Sequence, residues 1–186
     1  MPATVAISRA AQTLVGGGVV AYPTEAVFGL GCDPRNEAAL KRLLTLKQRD
    51  AGKGFILIAA NAGQLEPYIL PLPATAERRV RATWPGPVTW VYPAKRSVSA
   101  LLRGSHDTLA VRVTGHPVAA AICEAFRGAL VSTSANIAGR EPARSAAEVR
   151  AAFGRGVDMV LEMQVTLVGG PTEIRDAQSG KVIRAR

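Results

Sequence analysis

Cysteine is almost missing from this 186-residue chain. Cys32 and Cys123 stand far apart and form no CxxC pair. That excludes a disulfide framework and a paired-cysteine zinc site, and leaves two thiols that read as small core residues in a reducing compartment. Histidine is as scarce: with only His106 and His116 there is no HExxH pair, and His116, just before Pro117, reads as a turn residue rather than a base. Aromatics make up 5% of the residues, too few for a platform that stacks single-stranded bases. No apolar run approaches the ~20 residues that a membrane helix needs. Residues 1–9 lack a basic region followed by an apolar stretch, so no secretory signal is expected and the reading is a cytoplasmic protein without membrane contact. GxSxG and GxxxxGK[ST] are also lacking: Gly52-Lys53-Gly54 and Gly180-Lys181-Val182 have neither the hydroxyl nor the leading glycine of a P-loop.

Acidic residues are the last shortage. Fourteen Asp and Glu face 23 Lys and Arg, giving a net charge of +9. Such a surplus serves solubility, or it serves a polyanionic partner: nucleotide, RNA or both. Arginine far outnumbers lysine, and its planar fork matches phosphate oxygens in pairs, which favours the partner. The hydrophobic share of 48% suits a folded chain, and the length suits one domain over residues 1–186.

Helical and strand patterns alternate without linker, repeat or low-complexity tract. Helices are expected at 8–14, at 37–47 behind the cap Asn36, and at 76–82. Two more are expected at 117–126, with Pro117 in the first position, and after the capping box Ser145-Ala146-Ala147-Glu148. Strands are expected at 19–22, 55–59, 88–92, 109–113 and 130–131, with short ones near Met159, Val165 and Val182. The strands are unevenly separated by helices, so the expected class is α/β with a mixed sheet rather than a doubly wound parallel one.

Four constellations carry chemistry. Lys47-Gln48-Arg49 closes the second helix and Lys53 follows. A lysine there complements the helix dipole, but three cations in seven residues repel one another unless solvent or an anion separates them. The apolar strand that follows places this loop at a sheet edge, where α/β proteins bind ligands. Ser132-Thr133-Ser134-Ala135-Asn136 follows a strand and offers hydroxyl and amide groups for an anion, or equally a strand-end turn satisfied by its own side chains. Thr24 and Glu25 leave a buried strand across Pro23, ahead of Gly29 and Gly31, and read as an ordinary turn. Arg112 interrupts an apolar strand, which is costly unless it meets a partner, points into a cleft or faces water at an edge. The tail from Pro171 to Asp176, with Arg184, reads as a charged β-hairpin.

Taken together these segments resemble the YrdC/TsaC family of threonylcarbamoyl-AMP synthases in its short bacterial form. The resemblance rests on YPTEAVFGLGCDP at 22–34, LKQR at 46–49, and Lys53 with its strand to Ile58. It continues through WPGPVTW at 84–90, LAVRV at 109–113, STSAN at 132–136 and TEIRDA at 172–177. It implies a twisted mixed parallel and antiparallel sheet with flanking helices around a basic concave cleft. It also implies a nucleotidyltransferase that joins L-threonine, bicarbonate (as CO2) and ATP, giving threonylcarbamoyl-AMP and pyrophosphate. ATP is a substrate, with Mg2+ accompanying it and no metal held by the protein.

By motif, Lys47 and Arg49 are implied as catalytic and phosphate-binding, with Lys53, Thr108, Ser134, Asn136 and Arg184 also on ATP. Thr24, Arg112, Ser132 and Thr172 are implied on the threonine side, Arg112 meeting the carboxylate. Ala26, Phe28 and Ile58 depart from the Thr, Tyr and His of some relatives. Implied partners are tRNA or double-stranded RNA and a downstream threonylcarbamoyl-transferase complex. Two competing readings remain: an RNA-binding or ribosome maturation factor without chemistry, and a carbamoyl-transfer enzyme of another maturation pathway.

Overall fold

The computed structural model describes residues 3–165 and 172–185, so Pro171 of the tail motif lies outside the described residues. The chain runs α1 (Ala3–Val15), β1 (Val20–Pro23), β2 (Phe28–Gly31), α2 (Glu37–Lys47), β3 (Ile56–Ala59), α3 (Ala74–Arg81), β4 (Val88–Pro93) and α4 (Ala100–Arg103). It continues through β5 (Thr108–Val113), α5 (Pro117–Phe126), β6 (Leu130–Ser134), α6 (Ala146–Phe153), β7 (Met159–Val160), β8 (Glu173–Asp176) and β9 (Val182–Arg184). The strands form one sheet in the order β7-β1-β2-β6-β3-β5-β4-β8-β9. The pairs β1/β7, β3/β5 and β4/β8 are parallel, and the rest are antiparallel. The mixed sheet expected from the sequence is therefore present, and the charged tail is the β8/β9 hairpin.

Several expectations change. The first helix starts at Ala3 rather than at residue 8. Val165 lies in no strand, and the short helix α4 has no counterpart in the sequence reading. The Ser/Thr run does not follow a strand but continues one, because β6 stays paired with β2 as far as Ser134. The glycine-bearing 28–31 segment is a strand, not a turn. Its pairing with β1 sets Gly29 against Tyr22. The Tyr22 ring lies across both glycines: a Cβ on Gly31 would stand 3.0 Å from that ring and 2.7 Å from the Val131 carbonyl. The glycines thus leave room for a fully buried tyrosine from the neighbouring strand.

Alternation along the strands sorts the two faces. Ala21, Leu30, Leu57, Val111 and Val131 belong to one apolar cluster, which includes Leu40 and Leu43 of α2. Val20, Tyr22, Ile58 and Leu130 point the other way and pack with Ala10 and Leu14 of α1 and with Ile122 and Phe126 of α5. Arg112, Ser132 and Ser134 share this second face by strand parity but lie beyond the two helices. The uncovered end of that face is the floor of the cleft.

Candidate active site

The cleft is a cavity of about 570 Å³, within the usual size of small-ligand sites. Thr24, Arg49, Arg112, Ser132, Ser134, Thr172 and Arg184 all line it, as do Ala26, Phe28 and Ile58. Four arginines (Arg49, Arg112, Arg144 and Arg184) outweigh Glu25 and Glu141 among the described lining residues, so the cavity attracts anions. Lys53 and Thr108 are not among that lining: Lys53 is exposed on a 3-10 turn, and Thr108 begins β5 opposite Pro93.

Lys47 takes a different place from the one its motif implies. Helix α2 ends at Lys47, with Gln48 in a left-handed cap at φ 48°. The lysine side chain lies on the buried face, 3% exposed, and is not among the cavity lining. Its Nζ donates to Ser134 O at 2.5 Å, Asn136 O at 2.8 Å and Asn136 Oδ1 at 3.1 Å. Three protons meet three acceptors, so in this arrangement the ammonium is a strut that fixes the end of β6 rather than an open phosphate contact. Asn136 is equally committed: its Oδ1 also accepts from Ser134 Oγ at 2.6 Å, and its Nδ2 donates to the Ile137 and Arg140 carbonyls. Burial, and then the neighbouring Arg49, pull the Lys47 pKa down to about 8.

Arg49 stands at the mouth of this wall. Its Nε donates to Gly54 O at 3.1 Å, and its guanidinium sits 5.5 Å from the centre of the Phe55 ring. These contacts aim the fork while it remains part of the cavity lining. Gly54, at φ 58°, turns the loop where a Cβ would strike the Arg103 backbone at 2.7 Å.

Arg112 also lines the cavity. It is no edge residue: β5 lies between β3 and β4, and Arg112 is 6% exposed. Its Nη1 donates to Glu25 Oε1 at 3.1 Å. Ser132 Oγ accepts from Tyr22 Oη at 2.9 Å. Burial pushes the Tyr22 phenol well above its ordinary range, so it remains a donor. Thr24 Oγ1 donates to Val27 O at 2.6 Å. Sequence reasoning missed Tyr22 and Glu25 as members of this network although both lie in the 22–34 motif, and it missed Arg144 and Glu141 altogether.

His116 is the N-cap of α5, its Nδ1 accepting from Ala119 N at 3.4 Å. Burial lowers its pKa, which keeps it neutral. Burial pushes Cys32 and Cys123 up to about 12, so both are inert core thiols. No group of three His, Cys, Asp or Glu among the described residues could hold a metal ion, and no helix among them is long and apolar enough to cross a membrane.

An α/β sheet with an arginine-lined cavity presents a site suited to anions. The chain belongs to the Sua5/YciO/YrdC family, whose sequence profile, described as "Telomere recombination", matches residues 12–186. It is 55% identical over 178 residues to a threonylcarbamoyl-AMP synthase of Nitrosococcus oceani, covering 96% of each chain. It is 56% identical to one of Halorhodospira halophila, covering 96% of this chain and 93% of that one. Among solved structures it resembles P. abyssi Sua5 complexed with L-threonine, with a TM-score of 0.85 and 34% identity over 91% of this chain. The chain spans 50% of that longer Sua5 protein.

Proposed function

We propose that the chain is an L-threonylcarbamoyladenylate synthase. As a nucleotidyltransferase it joins L-threonine, bicarbonate (as CO2) and ATP to give threonylcarbamoyl-AMP and pyrophosphate, using one domain over residues 1–186. The observation that carries the reading is a single cavity lined by both Arg49 and Arg112, in a chain so close to relatives bearing that name. The product supplies the threonylcarbamoyl group of tRNA threonylcarbamoyladenosine, in the cytoplasm, through a downstream transferase complex. The RNA-binding reading without chemistry gives no reason for a buried arginine in the cavity wall.

Bicarbonate takes the ammonium proton of threonine and loses water to give CO2; the freed amine lone pair forms the new C–N bond, a carbonyl π pair moves to oxygen, and one N–H proton passes to solvent, leaving a carbamate. A carbamate oxygen then attacks the α-phosphorus of ATP, and pyrophosphate leaves. The nucleophile already carries charge, so the chain needs no serine–histidine pair. Its work is positioning and charge stabilisation. Arg49, with Arg184, faces the phosphates, and Lys47 and Asn136 hold the wall that presents Ser134. Lys53 and Thr108 act from the rim. Arg112 and Ser132 take the amino-acid carboxylate, with Thr24 and Thr172 beside them. Magnesium arrives with the nucleotide, as part of the substrate. The test is pyrophosphate release with each substrate omitted in turn. Release should require L-threonine, bicarbonate and ATP together, and release from ATP alone at the full rate contradicts the reading.

Lys47 gives this site a pH signature. In the free cleft its pKa is pulled down to about 8. A triphosphate beside Arg49 favours the protonated form and raises that value. The bound state then holds more protons than the free state above pH 8, so ATP affinity is level below about pH 8 and falls as pH rises beyond it. Calorimetric titrations near pH 8.5 in buffers of different ionisation heat should reveal proton uptake; identical heats in all buffers contradict it.

A further inference from the structure

The cavity is built for anions, yet Glu25 stands inside it. It lies on the turn between β1 and β2, with its side chain 30% exposed, and reaches Arg112 at 3.1 Å. A carboxylate here weakens the field that a triphosphate needs. Its place is explained by the direction of the hydrogen bonds nearby.

Thr24 Oγ1 gives its proton to Val27 O, so it offers the cavity only lone pairs. Glu25 as a carboxylate accepts only. Beside it, Arg112 donates only. Ser132 accepts the Tyr22 proton, and among the described residues its own proton has no acceptor, so Ser132 can donate to the cavity. Two acceptors on the β1–β2 turn therefore line the same cavity as two donors on β5 and β6. A simple anion needs only donors. A zwitterion, with a carboxylate and an ammonium on one carbon, needs both sets side by side.

We propose that Glu25, with Thr24, binds the α-ammonium of the amino-acid substrate while Arg112 and Ser132 bind its carboxylate. The inference rests on the function proposed above and adds the group that selects an amino acid over other small carboxylates. In the free protein Glu25 holds Arg112, and substrate inserts its two charges between them. A nitrogen carboxylated by CO2 keeps one N–H, so Glu25 retains a hydrogen bond as the ammonium becomes a carbamate.

Glu25→Gln tests this, because the amide keeps the shape and can still accept from Arg112. The probes are L-threonine and 2,3-dihydroxybutanoate, which carries a hydroxyl in place of the ammonium, each titrated calorimetrically, with ATP titrated separately. Losing a charge-assisted bond should weaken L-threonine binding roughly 10- to 100-fold. Binding of 2,3-dihydroxybutanoate should hold or tighten, since Arg112 is no longer neutralised, and ATP affinity should change little. A variant that binds L-threonine as the wild type does overturns the assignment. So does one that weakens both probes alike, which a merely structural role would produce. A wild-type chain that binds ATP but neither probe removes the function proposed above, and the Glu25 assignment falls with it.

Discussion

Lys47→Ala should lower both stability and turnover, whereas Arg49→Ala should lower turnover alone. The Lys47 ammonium, on a side chain only 3% exposed, satisfies Ser134 O, Asn136 O and Asn136 Oδ1. Alanine leaves two carbonyls without their donor and cuts α2 from the end of β6. Relief of the buried charge offsets part of the loss, so the net cost is about 2–4 kcal/mol. For a chain of this size that corresponds to a fall in Tm of roughly 5–15 °C. Arg49 spends one N–H on Gly54 O and is half-buried, so its removal costs roughly 1 kcal/mol or less. Each variant should lose about 100-fold or more in kcat, the usual result of losing a preorganised group or the wall that presents one. The motif alone implies equivalent roles for the two residues. Thermal melts beside pyrophosphate-release kinetics distinguish them, and equal Tm values for the two variants would contradict the strut.

The second large effect concerns Arg112. Arg112→Ala should raise KM for L-threonine and cut kcat/KM for it by about 100-fold, while ATP binding changes little. Folding should survive, because the change removes a buried charge and leaves Glu25 facing the cavity rather than sealed in the core. Arg112→Lys should recover only part of the loss, since an ammonium cannot present two parallel donors to a carboxylate. Steady-state kinetics with each substrate varied in turn provide the check. A threonine KM that stays at the wild-type value would remove Arg112 from the amino-acid end.

Much of this could be read in one dimension. Helices α2 and α5 have the expected boundaries because Asn36 caps one and Pro117 opens the other, both local signals. The apolar strands β3 and β5 were visible in their side chains. What was hidden depends on partners distant in sequence. β2 looks like a turn because its glycines are explained only by the Tyr22 ring lying over them. Glu25 looks like a turn residue because Arg112 lies 87 positions away. Lys47 was legible as a cation closing α2. Its three acceptors were not, since two are carbonyls whose direction follows from the path of β6. The site was thus legible as a set of residue types, while the direction of each hydrogen bond required the fold.

The central claim is that one cavity brings a nucleotide and a carboxylated amino acid together. Its most direct test is to supply 13C-bicarbonate with L-threonine and ATP and to analyse the nucleotide product by mass spectrometry before it decays. An AMP adduct containing threonine and one labelled carbon is the predicted result. ATP turned over with no labelled adduct, or an adduct of threonine and AMP lacking the label, would contradict it.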